Sequence, residues 1–230
     1  TVTPGPGANA WHGSLTLKGQ FLSRVHKHRL ADEIKHGIGW EGGKGCAVGC
    51  TFHKYDHAAG AAEIGFPEHL IQLQDAIFEG LKNGASQAWP EQFLEAAAVG
   101  ADMSMVFPQF GAWLLSVDGP MKKLAKAPHV EGIRALYAEW STRRVRPAAA
   151  RWAAAVAAGA AGAAGAAGAA AVAAGDAAWA AGAAGAAEAA AWAAGAAGAA
   201  GAAEAAARSA AWLSMRDKLL ELMRAAKTTS

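Results

Sequence analysis

Cys46, Cys50, His53 and His57 stand within one short stretch, spaced C-x3-C-x2-H-x3-H. Thiolate and imidazole are the usual zinc ligands, and pairs four apart on a helix can chelate one ion. At about 100° per residue these four side chains share one stripe of a helix, but the stripe is about 16 Å long. Four residues on one straight helix cannot close on a tetrahedral Zn ion. A metal site therefore needs either a chain that folds back on itself or further ligands. His28, Asp32 and His36, spaced four apart on the preceding segment, are the residues that could supply them.

The same stretch admits two other chemistries. Cys46 follows Gly42-Gly43-Lys44-Gly45 and is placed to begin a helix. Helix-start N–H groups and a nearby Lys stabilise a thiolate, so Cys46 is a candidate nucleophile. His53 or His57 would be its base, with Asp56 close in sequence. Alternatively Gly43, Lys44 and Gly45 form an anion-binding loop, although the spacing of a phosphate-binding P-loop is absent. Against all three stands a structural reading. Reduced Cys residues serve well as small core residues, and His26, Lys27, His28 and Arg29 read as an exposed basic face.

These residues must be positioned by helices. Phe21, Leu22, Val25, Leu30 and Ile34 line one side of a helix expected over residues 17–36. Pro67 and Pro90 each precede a Glu and an apolar-periodic run, which predicts helices over 67–81 and 90–99. Residues 103–117 continue helically with a bend expected at Pro108, and 130–141 form another helix. No alternating strand of useful length is present. The fold class is all-α: a multi-helix N-terminal domain followed by long Ala/Gly-rich helices.

Composition divides the 230 residues into 1–147, 148–211 and 212–230. The first part holds every His and both Cys, the last is an amphipathic helix, and the middle is almost entirely Ala and Gly. Gly159, Gly162, Gly165 and Gly168 recur every three residues, a period that suits polyproline II and an antifreeze-like surface. The bulky pairs Trp152/Val156, Glu188/Trp192 and Arg208/Trp212 are four apart, and Ala is the best helix former, so α-helix is the stronger expectation. Val156, Val172, Glu188 and Glu204 also repeat every sixteen residues. Small residues that stand in for larger ones would give the same composition; the intact mass, 23.3 kDa as written, decides that.

Residues Gly45–Thr51, Tyr55-Asp56-His57 and Phe78-Glu79-Gly80-Leu81 resemble uncharacterised bacterial and phage proteins that also end in Ala-rich helices. The resemblance covers about a third of the chain and implies no activity. Twenty-one Lys+Arg against nineteen Asp+Glu leave a net charge of +2, which argues against nucleic acid as a partner. Residues 152–175 are uncharged over a spanning length. Ala and Gly are weakly apolar, however, and Asp176, Glu188 and Glu204 interrupt the residues C-terminal to this stretch, so a membrane is not expected. Two Cys and no visible targeting segment point to the cytoplasm. The expected function is a helical interaction or structural protein that self-associates or packs on a protein partner. A metal- or thiol-dependent enzyme centred on Cys46–His57 is the alternative.

Overall fold

The structure is a computed structural model that describes residues 9–122, 128–155 and 201–228. The described residues are all-α, with one hairpin of two-residue strands. Two compact units are present: residues 1–106 together with 206–230, and residues 107–205. This partition differs from the compositional one at residues 147 and 211. Most of the Ala/Gly segment, residues 156–200, lies outside the described residues, and with it Val156, Val172 and Glu188 of the sixteen-residue repeat.

The first unit begins with a 3-10 turn at Ala10–Gly13 and then α1, Leu15–Leu30. Ser14 caps α1 by accepting the Leu17 N–H at 3.1 Å. The helix stops six residues earlier than the periodicity predicts. Asp32 adopts a left-handed backbone (φ 53°), so Ile34 leaves the helix axis and bridges Gly45 instead. Ile34 is still fully buried. Its apolar character is a true signal of burial and a false one of helix.

Next comes a hairpin that the sequence pattern conceals. β1 (Trp40–Glu41) and β2 (Lys44–Gly45) pair antiparallel across Gly42-Gly43, both at positive φ. A two-residue turn of that kind matches strand twist and favours Gly at both positions. α2 (Ala47–Phe52), α3 (His57–Ile64), α4 (Glu68–Gly80) and α5 (Asn83–Ala96) follow. α4 packs on α2, α3 and α5, and α1 on α2 and α5. Leu70, Ile71, Leu73, Ile77 and Phe78 of α4 are buried at three- and four-residue spacing, alongside Trp89 and Phe93 of α5. α5 starts seven residues before Pro90, which sits inside it. A single proline removes one backbone bond, and fully buried Trp89 and Phe93 beside it hold the turn. A long C-terminal helix, Gly201–Ala225, returns to this unit through Trp212, Met215, Leu219 and Met223.

In the second unit, α6 (Val106–Leu114) runs without a break, because Pro108 falls in its first turn where no intrahelical N–H bond is required. α7 spans Pro128–Arg143. Tyr137 and Trp140 of α7 are buried; both meet Phe107, and Tyr137 also meets Trp152. Gly111 lies so close to the Tyr137 ring that a Cβ there would come within 2.8 Å.

Candidate functional site

One six-residue helix connects two polar centres. Cys46 caps the start of α2 and His53 caps its end. The stripe Cys46–His57 is therefore not one helix. His53 takes a left-handed backbone (φ 54°), and α3 restarts at His57 after Asp56 caps it by accepting the Ala59 N–H at 2.9 Å. The turn sends His53 and His57 to different neighbours.

The first centre surrounds Asp75 of α4. Its Oδ2 accepts the Tyr55 hydroxyl at 2.7 Å and the His57 Nε2–H at 3.3 Å. Asp75 is 9% exposed. Burial opposes its charge, but His57, Tyr55 and the Cys46 thiol outweigh that and hold the carboxyl below the usual range. Oδ1 is buried and has no hydrogen-bond partner. Burial, and then Asp75, push the Tyr55 hydroxyl up.

Both thiols are buried. Cys46 Sγ accepts the Gly49 N–H at 3.5 Å and faces the Gly39 carbonyl at 3.7 Å. Burial first, and then the Asp75 charge, push its pKa up to about 12. Cys50 donates to the Gly45 carbonyl at 3.3 Å, and burial raises it to about 11. A glycine before each cysteine does not open the thiols to solvent. Instead it brings backbone against them: a Cβ at Gly45 or Gly49 would run into the Gly39 carbonyl oxygen. A thiol buried beside a carboxylate stays protonated at neutral pH.

The Gly43–Gly45 segment is the hairpin itself. The Gly45 N–H binds the Glu33 carbonyl at 3.1 Å and the Cys46 N–H binds the Ile38 carbonyl at 2.6 Å. Those donors are taken by protein carbonyls. Lys44 is exposed on β2.

The second centre joins α1 to the end of α2. His28 and His53 meet through Nε2 atoms 2.8 Å apart. His28 Nδ1 is 2.6 Å from Glu33 Oε2, so the ring hydrogen sits on Nδ1 facing the carboxylate. Trp40 stacks on His53 at 4.9 Å and 17° and meets His28 edge-on at 5.6 Å. Burial, and then Arg24 and His28, hold His53 below the ordinary imidazole range. His28 is therefore part of a built cluster and not of an open basic face. The trio expected on the preceding helix separates: Asp32 pairs with Lys35, while His36 binds Glu79 at 3.3 Å and stacks on Phe78.

Alongside this centre runs an open groove of about 810 Å³, lined by Thr16, Gly19, Ser23, Arg24 and Lys27 of α1 together with Glu33 and His53. Arg24 is tethered by Nη1 to the Thr51 carbonyl at 2.8 Å. Residue spacing points to His53 but not to Glu33, Arg24, Trp40 or Asp75 as site residues. Each lies on a separate element, and no local spacing connects them.

No group of three or more His, Cys, Asp or Glu among the described residues is arranged to hold a metal ion. No helix among them is long and apolar enough to cross a membrane. No family model matches the chain, and neither a curated protein nor a solved structure does.

Proposed function

We propose that the chain is a helical binding protein of the interaction class, and that the groove beside α1 takes an anionic ligand. The observation that carries this reading is the groove's charge. Arg24 and Lys27 line it, and its one carboxylate among the described lining residues, Glu33, is engaged by His28. Gly19 leaves room on the helix surface, with nothing within 4 Å of where its Cβ would be. A carboxylate or phosphate group fits such a lining, since guanidinium, ammonium and hydroxyl groups all donate to it.

Inorganic phosphate is the simplest probe. Backbone amide shifts of residues 16–33 and 53 on titration, several-fold weakened by Lys27→Glu and by added sodium chloride, are the expected result. Lys27 is exposed, so the substitution leaves the fold intact. Equal phosphate affinity of the wild type and Lys27→Glu would overturn the reading.

A second reading is favoured by the Asp75 centre. A carboxylate that receives His57 Nε2–H leaves Nδ1 as a base, the arrangement of a general acid–base pair. Cys46 is no nucleophile in that reading, because its thiol is buried and protonated.

A further inference from the structure

We propose that His28 and His53 form a two-histidine site for a late first-row divalent metal ion, Cu²⁺, Ni²⁺ or Zn²⁺, with Glu33 as its outer carboxylate. The metal site itself is independent of the anion reading. Only the idea that an anion in the groove completes the coordination rests on it.

Three features converge. The first is the facing pair of Nε2 atoms at 2.8 Å. Two lone pairs cannot face each other at that distance, so one nitrogen must carry a hydrogen that a metal ion can replace. Two bonds of about 2.1 Å meeting at about 90° hold their nitrogens about 3.0 Å apart, and a tetrahedral angle holds them about 3.4 Å apart. The rings now point almost head-on, with centroids 5.0 Å apart, so the nitrogens must separate by a few tenths of an ångström and the His53 ring must also turn for both lone pairs to meet at one ion; His53 is exposed, which leaves room for that turn.

The second feature is Glu33. A ligating histidine characteristically donates its other ring N–H to a carboxylate, which sets the tautomer and makes the ligating nitrogen more basic. His28 does this at 2.6 Å. The third is that one of the two rings is fixed. His28 is tied to Glu33 and meets Trp40 in a T-shaped contact, while His53 keeps the indole stacked on it, so His28 is the positioned ligand and His53 the one that adjusts. The remaining coordination positions open onto the groove, to water or an anion. Arg24 opposes a cation here. Its tether to the Thr51 carbonyl and its place over the Phe21 ring, 4.6 Å from the centroid, fix it outside the pair, while Glu33 supplies the compensating charge.

The test uses the full chain after treatment with a chelator, titrated with Cu²⁺ alone by calorimetry and followed by electron paramagnetic resonance. One equivalent should bind with hyperfine structure from two imidazole nitrogens. His53→Asn keeps a residue suited to the left-handed cap and removes the imidazole. His28→Gln removes the other ligand. Each should weaken Cu²⁺ binding at least about tenfold and leave one nitrogen or none, and Glu33→Gln should cost about tenfold. Circular dichroism and the melting temperature confirm that the variants fold. Absence of a one-equivalent site in the wild type, or equal binding by the folded His53→Asn and His28→Gln proteins, would overturn the inference. Phosphate binding by the metal-free protein reads the groove separately. If it persists where the metal site fails, the groove reading stands and this one falls.

Discussion

Asp75 and Asp32 have the same side chain in opposite circumstances. Asp75 is buried and receives Tyr55 and His57, while Asp32 is solvated and pairs with Lys35 at the surface. Removing the charge from a buried, hydrogen-bonded carboxylate leaves its donors without an equivalent acceptor, which costs about 3 kcal/mol. An exposed ion pair contributes little. Asp75→Asn should therefore lower the urea midpoint clearly at pH 7, and Asp32→Asn should leave it unchanged. The pH dependence has a definite sign. The Asp75 carboxyl lies below its ordinary value in the folded protein, so its stabilisation is complete above about pH 4 and vanishes as the pH falls through the lower folded value. The wild type should lose stability across that acid window, and Asp75→Asn should show a flatter acid limb. Parallel acid limbs would mean that the charge of Asp75 contributes nothing.

At the scale of the element, the hairpin and α2 act as one piece because three glycines press together. The Gly39 carbonyl receives the Cys46 N–H at 3.3 Å, and Gly45 and Gly49 lie against the same oxygen. Gly49→Ala would drive a methyl group into that backbone oxygen, which no rotamer can relieve. It should cost about 3 kcal/mol and loosen both polar centres, since α2 carries Cys46 at one end and His53 at the other. Gly19→Ala, in the middle of α1 with open space around it, should instead stabilise the protein by up to about 1 kcal/mol. Thermal unfolding of the two variants should shift in opposite directions; a Gly49→Ala protein as stable as wild type would show that the backbone has room. This element also marks where the sequence is readable. The periodic helices α1, α4 and α7 are legible to within a few residues at most ends, because their apolar spacing reports one buried face. The Gly-rich stretch is legible as unusual but not as a hairpin, since its two-residue strands are too short to show alternation. The site is half legible. The concentration of Cys and His identifies the right segment, but Asp75, Glu33 and Trp40 join it through tertiary contacts that no spacing in the chain encodes.

At the scale of the molecule, the first compact unit closes only with a segment from the far end of the chain. Composition places boundaries at residues 147 and 211, whereas the described fold groups residues 206–230 with 1–106. Composition reports what each segment is made of, not which faces meet. Trp212 lies against Gly80, where a Cβ would overlap the indole, and the Asp102 N–H binds the Lys227 carbonyl at 2.9 Å. Trp212, Met215, Leu219, Leu220 and Met223 are each at most 6% exposed. At roughly 1.5–3 kcal/mol for each large apolar side chain, their burial amounts to about 10 kcal/mol, comparable with the whole stability of a typical domain. Ending the chain at residue 205 should therefore abolish cooperative unfolding of the first unit, measured by loss of a sigmoidal melt and gain of dye binding to exposed apolar surface. Trp212→Ala should keep the fold but cost about 3–5 kcal/mol, because a cavity replaces the indole over Gly80. A chain of residues 1–205 that melts as cooperatively and at the same temperature as the full chain would show that the C-terminal helix only rests on the unit. Loss of cooperativity in that shortened chain, with Trp212→Ala intermediate, would show that the helix completes the core on which both polar centres are built.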